Sequence, residues 1–176
     1  MRPVQQIPRT ALRAAQAAFV IGMASAAVSV YWGLGGTWLL DTVGGTLVSQ
    51  GQAAAAAVLA AVWGAAVLKA AAAALPLLYC RVPAALTGPA ARRRGLARVL
   101  IWLEAAILTL YGGVLVAVGL LVQSGLITRP AGADEKALAW HAYLWDPWFL
   151  VWGLLVLAVL ARTSPRRLAS APSAGS

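Results

Sequence analysis

The stretch VLIWLEAAILTLYGGVLVAVGLLV, residues 99–122, decides the fold because it is long, apolar and interrupted by one charge, Glu104. A helix of about 20 such residues crosses the roughly 30 Å of bilayer hydrocarbon. Polar and apolar residues do not alternate in it, as they would in a strand of a membrane barrel. Since lipid offers no partner to unpaired backbone groups, the stretch predicts a transmembrane helix.

Three further blocks of the same kind lie at about residues 14–33, 53–79 and 145–161. The last is the shortest, and it reaches an adequate length if Asp146 caps the helix and Pro147 occupies its first turn. The chain is 61% hydrophobic and 11% charged, whereas soluble domains contain about 45–50% apolar residues. The prediction is an all-α integral membrane four-helix bundle that occupies residues 14–162.

Lysine and arginine are distributed unevenly between the segments that flank these blocks. Eleven lie in the arm 1–13, in residues 81–98 after the second block, and in the tail 163–176 together with Arg162 just before it, against two in the other two loops. Cytoplasmic segments carry such an excess. The pattern predicts a multi-pass protein of the bacterial cytoplasmic membrane with both termini in the cytoplasm. The tail, rich in Ser, Ala and Pro, is predicted to be disordered.

Two local features qualify this topology. The basic start followed by an apolar stretch also fits a cleaved signal peptide, which would leave three spans. The apolar stretch continues to Trp32, and that length favours an uncleaved anchor. In the loop 83–98, Gly88 and Pro89 are expected to break any long helix.

Two ionisable residues lie inside the predicted spans, Lys69 in the second and Glu104 in the third. An unpaired lysine at the bilayer centre costs about 2.5–3.5 kcal/mol. At 1.5 Å of rise per residue, their depths differ by roughly 6 Å, and the short loop predicts antiparallel neighbouring helices. We predict a Lys69–Glu104 ion pair facing the bundle interior, with Tyr111 in its network. A register-fixing role is favoured over an activity because no chain of acids leads to either surface.

Aromatic residues cluster at the outer ends of the spans, in Tyr31-Trp-Gly-Leu-Gly-Gly-Thr-Trp38 and His141-Ala-Tyr-Leu-Trp-Asp-Pro-Trp148. An aromatic belt at the lipid headgroups accounts for most of them. The functional interpretation is a shallow outer pocket lined by Trp32, Trp38, His141, Trp145, Asp146 and Trp148. His141 is the only histidine and the nearby acids are not at ligand spacing, so no metal site is predicted.

These two strings also carry a resemblance. At these residues the chain resembles an uncharacterised family of small four-span membrane proteins, common in actinobacteria and classed as a domain of unknown function. The resemblance extends from the first span to the fourth. It implies the fold and a membrane location, and it implies no activity or site residues.

The sequence contains no phosphate-binding loop, nucleophile elbow or haem motif, so no cofactor is predicted and an enzyme is disfavoured. The net charge of +9 is segregated into flanking segments and does not indicate nucleic-acid binding. The favoured hypothesis is a non-enzymatic binding or accessory bundle that packs with lipid, a small apolar ligand or another membrane protein. The alternative is a minimal transporter or membrane enzyme that uses Lys69 and Glu104. The oligomeric state stays open.

Overall fold

The computed structural model describes residues 7–44, 52–82, 87–129 and 131–164, apart from the side chains of 52–55. The elements in this part of the chain are α1 (Arg9–Gly33), a 3₁₀ turn (Leu40–Thr42), α2 (Gln52–Arg81), α3 (Gly88–Gln123), α4 (Glu135–Trp140), a π-helical turn (His141–Trp145) and α5 (Asp146–Arg162). The last three form one continuous helix. Four helical stretches are long and apolar enough to cross a membrane, so the all-α, four-span prediction is confirmed. The predicted disordered tail lies outside the described residues except for Thr163 and Ser164.

The packing of the bundle is centred on α1 and α5. Helix α1 packs along α2 and α5, and α5 packs along α3, whereas α2 and α3 touch far less. Gly22 of α1 lies where three helices meet, because a Cβ there would come within 2.6 Å of both Ala73 of α2 and Trp152 of α5. Small residues at such points allow helices to approach closely in lipid, where no hydrophobic force drives them together.

Helix α3 begins at Gly88, so the expectation that Gly88 and Pro89 break this segment is wrong. Pro89 lies in the first turn of the helix, where its missing N–H would have no intrahelical acceptor in any case. Gly88 has a φ of +61°, a backbone conformation that glycine adopts without a steric cost. The 36-residue helix is about 54 Å long, so it extends beyond the hydrocarbon layer.

The fourth span begins at Glu135, ten residues before the predicted start, and Asp146 does not cap it. Asp134 is the cap, because its side chain accepts a hydrogen bond from the backbone N–H of Ala137. The helix then widens into the π-helical turn, where the N–H of Asp146 donates to the carbonyl of His141, five residues back. Pro147 follows and cannot donate. The wider turn lets the helix pass this proline without ending.

Two arginines of α3 connect the ends of α2, α3 and α5 that carry most of the described basic residues. Arg94 donates to the carbonyls of Tyr79 and Val82 at 3.1 and 2.6 Å. Arg98 donates to the Tyr79 hydroxyl at 3.2 Å and to the carbonyl of Thr163 at 3.2 Å. These bonds satisfy the carbonyl groups that helix ends leave unpaired.

Candidate functional site

The amino group of Lys69 meets α1 at a buried hydroxyl. Lys69 Nζ donates a hydrogen bond to Ser29 Oγ at 3.0 Å, and the Ser29 hydroxyl donates in turn to the carbonyl of Ser25 at 3.4 Å. Because the hydroxyl proton is directed to Ser25, a lone pair of Ser29 is free to accept from the lysine. Both serines are at least nine-tenths buried. The bundle therefore binds the amino group of Lys69, which is directed toward α1 and not into lipid.

Aromatic rings from α3 and α5 complete the surroundings of Lys69. Its Nζ lies 5.6 Å from the centroid of the Phe149 ring, a cation–π distance. The Tyr111 and Phe149 rings meet edge to face with their centroids 6.0 Å apart. The Trp152 ring stacks on Phe149 with a centroid distance of 6.5 Å. We call Lys69, Ser29, Phe149 and Tyr111 the lysine centre. Each of the four long helical stretches contributes one residue to it.

Lys69 and Glu104 do not form the predicted ion pair. Lys69 Nζ bonds to Ser29, and neither carboxyl oxygen of Glu104 has a hydrogen-bond partner among the described residues. Phe149 lies beside Lys69. Along the bundle axis, Phe149 is level with Gly112, because Gly112 contacts the backbone of Leu150, the residue after Phe149. Glu104 precedes Gly112 by eight residues, or about 12 Å of helix. The prediction was wrong because α2 packs mainly on α1, and the Lys69 amino group is directed to Ser29 of that helix.

The lysine centre has an excess of hydrogen-bond donors. A lysine ammonium has three N–H donors, and within the described part of the chain one of them has an acceptor, Ser29. No carboxylate of the described residues lies within 4.0 Å of Lys69 Nζ. A cation at membrane depth normally faces an anion, a carbonyl group or water. The centre therefore suits a group that brings an acceptor.

The carboxyl end of the first span forms a compact turn. Trp32 Nε1 donates to the carbonyl of Trp38 at 2.9 Å, and the N–H of Trp38 donates to the Tyr31 hydroxyl at 3.3 Å. The Tyr31 ring lies over Gly36, where a Cβ would be 2.2 Å from the ring. The tryptophan–glycine string is thus a local fold in which glycine makes room for an aromatic ring.

The fourth span holds the loop that follows this turn. Trp145 Nε1 donates to the Thr42 hydroxyl at 3.1 Å, and Lys136 forms an ion pair with Asp41. Gly44 packs against Ala137, to which a Cβ would come within 2.9 Å. We call this docked loop, residues 37–44, the outer cap, after the side of the membrane on which the sequence predicts it. The Lys136 hydrogen bond holds the pKa of Asp41 below its ordinary value.

His141 joins the outer cap to α5 through both nitrogens of its ring. Nδ1 lies 3.1 Å from Asp146 Oδ1, and Nε2 lies 3.0 Å from the carbonyl oxygen of Val43. Both partners are acceptors, so both nitrogens act as donors only in the imidazolium form. The Asp146 side chain is 5% exposed. With neither nitrogen free, His141 is arranged as a structural link and not as a general base.

The predicted outer-rim residues are brought together, but largely through contacts with one another. Trp32 meets Trp145 edge to face at 5.7 Å, and Trp145 stacks on Trp148 at 6.4 Å. Trp38 is turned outward and is 68% exposed. A shallow apolar groove of about 270 Å³ lies nearby and shares only Trp148 with the predicted set; its lining is Ile21, Tyr143, Leu144, Pro147, Trp148 and Val151. An outer pocket lined by the predicted set stays a prediction.

Sequence reasoning missed Ser29 and Phe149, which replace Glu104 as the neighbours of Lys69. The only signal for Ser29 was its position one turn after Ser25 on α1, which places two hydroxyl groups on one face. Phe149 gave no local signal, since an aromatic residue in an apolar span is ordinary. Within the described residues, no cluster of three or more histidine, cysteine, aspartate or glutamate side chains is placed to hold a metal ion.

Comparison with known proteins gives one match. A family model described as "Protein of unknown function (DUF3995)" matches residues 22–156, which include the lysine centre and the outer cap. No curated protein and no solved structure matches the chain.

Proposed function

Because the chain belongs to the DUF3995 family, whose function is unknown, we propose its function from the geometry of the bundle. It is a non-enzymatic binding protein of the membrane, and its ligand is an amphiphile with an acidic head. The lysine centre binds the phosphate or carboxylate of that head, and the apolar tail lies against the bundle in the bilayer. The observation that carries the proposal is the shortage of acceptors around Lys69.

The energies favour an added acceptor. A lysine at the bilayer centre costs about 2.5–3.5 kcal/mol, and this is the upper limit for an amino group that lies nearer to one end of the span. One hydrogen bond from a charged group returns about 1.5–3 kcal/mol, and a cation–π contact returns about 0.5–2 kcal/mol. Ser29 and Phe149 therefore roughly offset the cost of burying Lys69. An anionic head would add a charge-assisted bond to a donor that is already held in place.

The position of the centre suits a ligand that arrives from the lipid. Ser29 lies four residues before the end of α1 at Gly33, about 6 Å along the helix. A headgroup at the membrane surface can reach that depth with its phosphate or ester groups. Tyr111 is 52% exposed, so the centre extends to the surface of the bundle beside α3. A phenol hydroxyl there can donate a further bond to the head.

The proposal includes the placement of the protein in the bacterial cytoplasmic membrane with both termini in the cytoplasm. The ends of α2, α3 and α5 that Arg94 and Arg98 connect are the arginine-rich ends. By the positive-inside pattern these ends face the cytoplasm, and the outer cap faces the opposite side. Reporter fusions at the C-terminus and in the loop around residue 130 test this; the proposed orientation requires cytoplasmic activity at the first and external activity at the second.

The alternative of a minimal transporter or membrane enzyme depended on the Lys69–Glu104 pair. Since Lys69 is bonded to Ser29 and Glu104 accepts no hydrogen bond from it, the alternative loses that basis. An accessory role in which another membrane protein supplies the acidic group is compatible with the same centre. That partner would replace the amphiphile and would use the same donor.

Native mass spectrometry of the protein in neutral detergent with added phosphatidylglycerol or a long-chain fatty acid tests the proposal. The chain has two lysines, so Lys69→Met can be compared with Lys136→Met, which removes the same charge at the outer cap. We expect one bound acidic lipid on the wild type and on Lys136→Met, and at least a tenfold weaker adduct on Lys69→Met. Equal binding by all three proteins, or no preference over phosphatidylcholine, would contradict the proposal.

A further inference from the structure

Glu104 is the one carboxyl group of the described residues that lies within a span without a hydrogen-bond partner. Each of its two oxygens has less than 1 Å² exposed and accepts no hydrogen bond from the described residues. Glu104 lies on α3 beside Ala105, which is 0% exposed and belongs to the core between the helices. The carboxyl group is therefore enclosed by protein at membrane depth.

No cation of the described residues donates a hydrogen bond to Glu104. Arg98 precedes Glu104 by six residues, about 9 Å of helix, and is bound to the Tyr79 hydroxyl and to Thr163. Lys69 is bound to Ser29, and Arg94 to the end of α2. None of the remaining titratable or charged groups described on the long helices donates to Glu104; these are Arg9, Arg13, Tyr31, Tyr79, Cys80, Arg81, Arg92, Arg93, Tyr111, Glu135, Lys136, His141, Tyr143, Asp146 and Arg162.

An ionised carboxylate in this enclosure would have no donor and no counter-charge among the described residues. Burial of an isolated charge in an apolar medium costs far more than burial of the neutral acid, and lipid provides no compensating water. A proton is the one cation that removes the charge without needing space or further ligands. We propose that Glu104 is an intramembrane proton-binding site that holds a neutral carboxylic acid in the folded protein.

The site has a defined consequence for the bundle. When the proton leaves, the described part of the chain offers the charge of Glu104 no compensating group, so the deprotonated form requires the surrounding helices to separate or a cation to enter. Glu104 is closer to the arginine-rich end than to the outer cap, so the proton exchanges with the cytoplasm in the proposed orientation. The packing around α3 therefore depends on whether a proton is bound to Glu104.

Infrared spectroscopy of the protein in lipid vesicles at neutral pH tests the proposal. A neutral carboxyl group has a C=O stretching band that a carboxylate does not have, and this band shifts when the vesicles are transferred to D₂O. The chain has two glutamates, so Glu104→Gln is compared with Glu135→Gln, whose carboxyl group is exposed and paired with Arg129. The band should be present in the wild type and in Glu135→Gln, and absent from Glu104→Gln.

Two results would overturn the proposal. The first is the loss of a carboxylate band, rather than the neutral band, in Glu104→Gln. The second is the disappearance of the wild-type neutral band when choline is replaced by sodium at constant pH, which would make Glu104 a metal-cation site. If Glu104→Gln does not fold, Glu104→Met and isotope labelling of glutamate carboxyl groups in the wild type give the same comparison. A D₂O shift confined to a labelled glutamate band supports the proposal without any variant.

Discussion

The replacement of Gly112 by alanine, compared with the same change at the adjacent Gly113, tests how closely α3 and α5 pack. A Cβ on Gly112 would lie 2.5 Å from the backbone nitrogen of Leu150 and 3.0 Å from the carbonyl oxygen of Asp146. Both neighbouring atoms belong to a helix backbone and cannot rotate away, so the helices must move apart by about 1 Å. A Cβ on Gly113 would meet only the end of the Leu150 side chain, at 3.8 Å.

The expected magnitudes follow from these contacts. Alanine gains about 1 kcal/mol over glycine inside a helix, whereas overpacking of a close contact costs about 1–3 kcal/mol. A backbone contact belongs at the upper end of that range, so Gly112→Ala should lower the free energy of unfolding by about 1–2 kcal/mol. Gly113→Ala should leave it unchanged or raise it by up to about 1 kcal/mol. Unfolding by sodium dodecyl sulfate in mixed micelles, followed by circular dichroism, measures both. Equal stability of the two variants would refute the packing described here.

Three further predictions concern the outer cap and Glu104. Asp146→Asn removes the charged acceptor of His141, and should weaken the docking of the outer cap by about 1–3 kcal/mol with faster amide exchange in the cap; unchanged exchange would contradict this. The hydrogen bond from Lys136 lowers the pKa of Asp41 in the folded protein. The ion pair therefore contributes its full stability at pH values above 3.8, the ordinary pKa of the carboxyl group. This contribution is lost as the pH falls through the lower pKa of the folded state. Lys136→Met should therefore raise the Asp41 midpoint in a carboxyl ¹³C NMR titration, and an unmoved midpoint would show that the pair is absent. Glu104→Met removes two unpartnered oxygens and should stabilise the bundle by about 1–3 kcal/mol in the same detergent titration, whereas a loss of stability would mean that the carboxyl group has a partner.

The number and type of the membrane helices could be predicted because the signals are local. The apolar block around Glu104 is long enough to span the bilayer whatever it packs against. The lengths of the helices were less well predicted, since Pro89 could be assigned either to a break or to a first turn. The proline is tolerated there because the first turn of a helix needs no N–H donor from it.

The partner of Lys69 could not be predicted because it depends on which helices are neighbours. A short loop after α2 suggested α3, whereas close packing between Gly22 and Ala73 joins α2 to α1 instead. Once α1 is the neighbour, Ser29 becomes the acceptor, and Glu104 is left without a partner among the described residues. The apolar side chains of the spans present similar surfaces, so the sequence of a single span does not specify which helix it packs against.

The role of Asp146 was misassigned for a different reason. An aspartate before a proline is a typical helix start, and the sequence offered no sign that a helix was already present. The π-helical turn places His141 and Asp146 on one side and allows the helix to continue through Pro147. The two strings that carry the family resemblance thus meet where His141 and Trp145 contact the outer cap. The lysine centre lies one turn further into the membrane.

The most direct test of the account is NMR spectroscopy of the protein with ¹⁵N-labelled lysine side chains in nanodiscs of neutral lipid. Lys69 and Lys136 give the two amino signals, and Lys136→Met assigns them. We predict that addition of phosphatidylglycerol or a long-chain carboxylate shifts the Lys69 signal to saturation and leaves the Lys136 signal in place. An unmoved Lys69 signal, or equal non-saturating shifts of both lysines, would contradict the binding of an acidic head at the lysine centre.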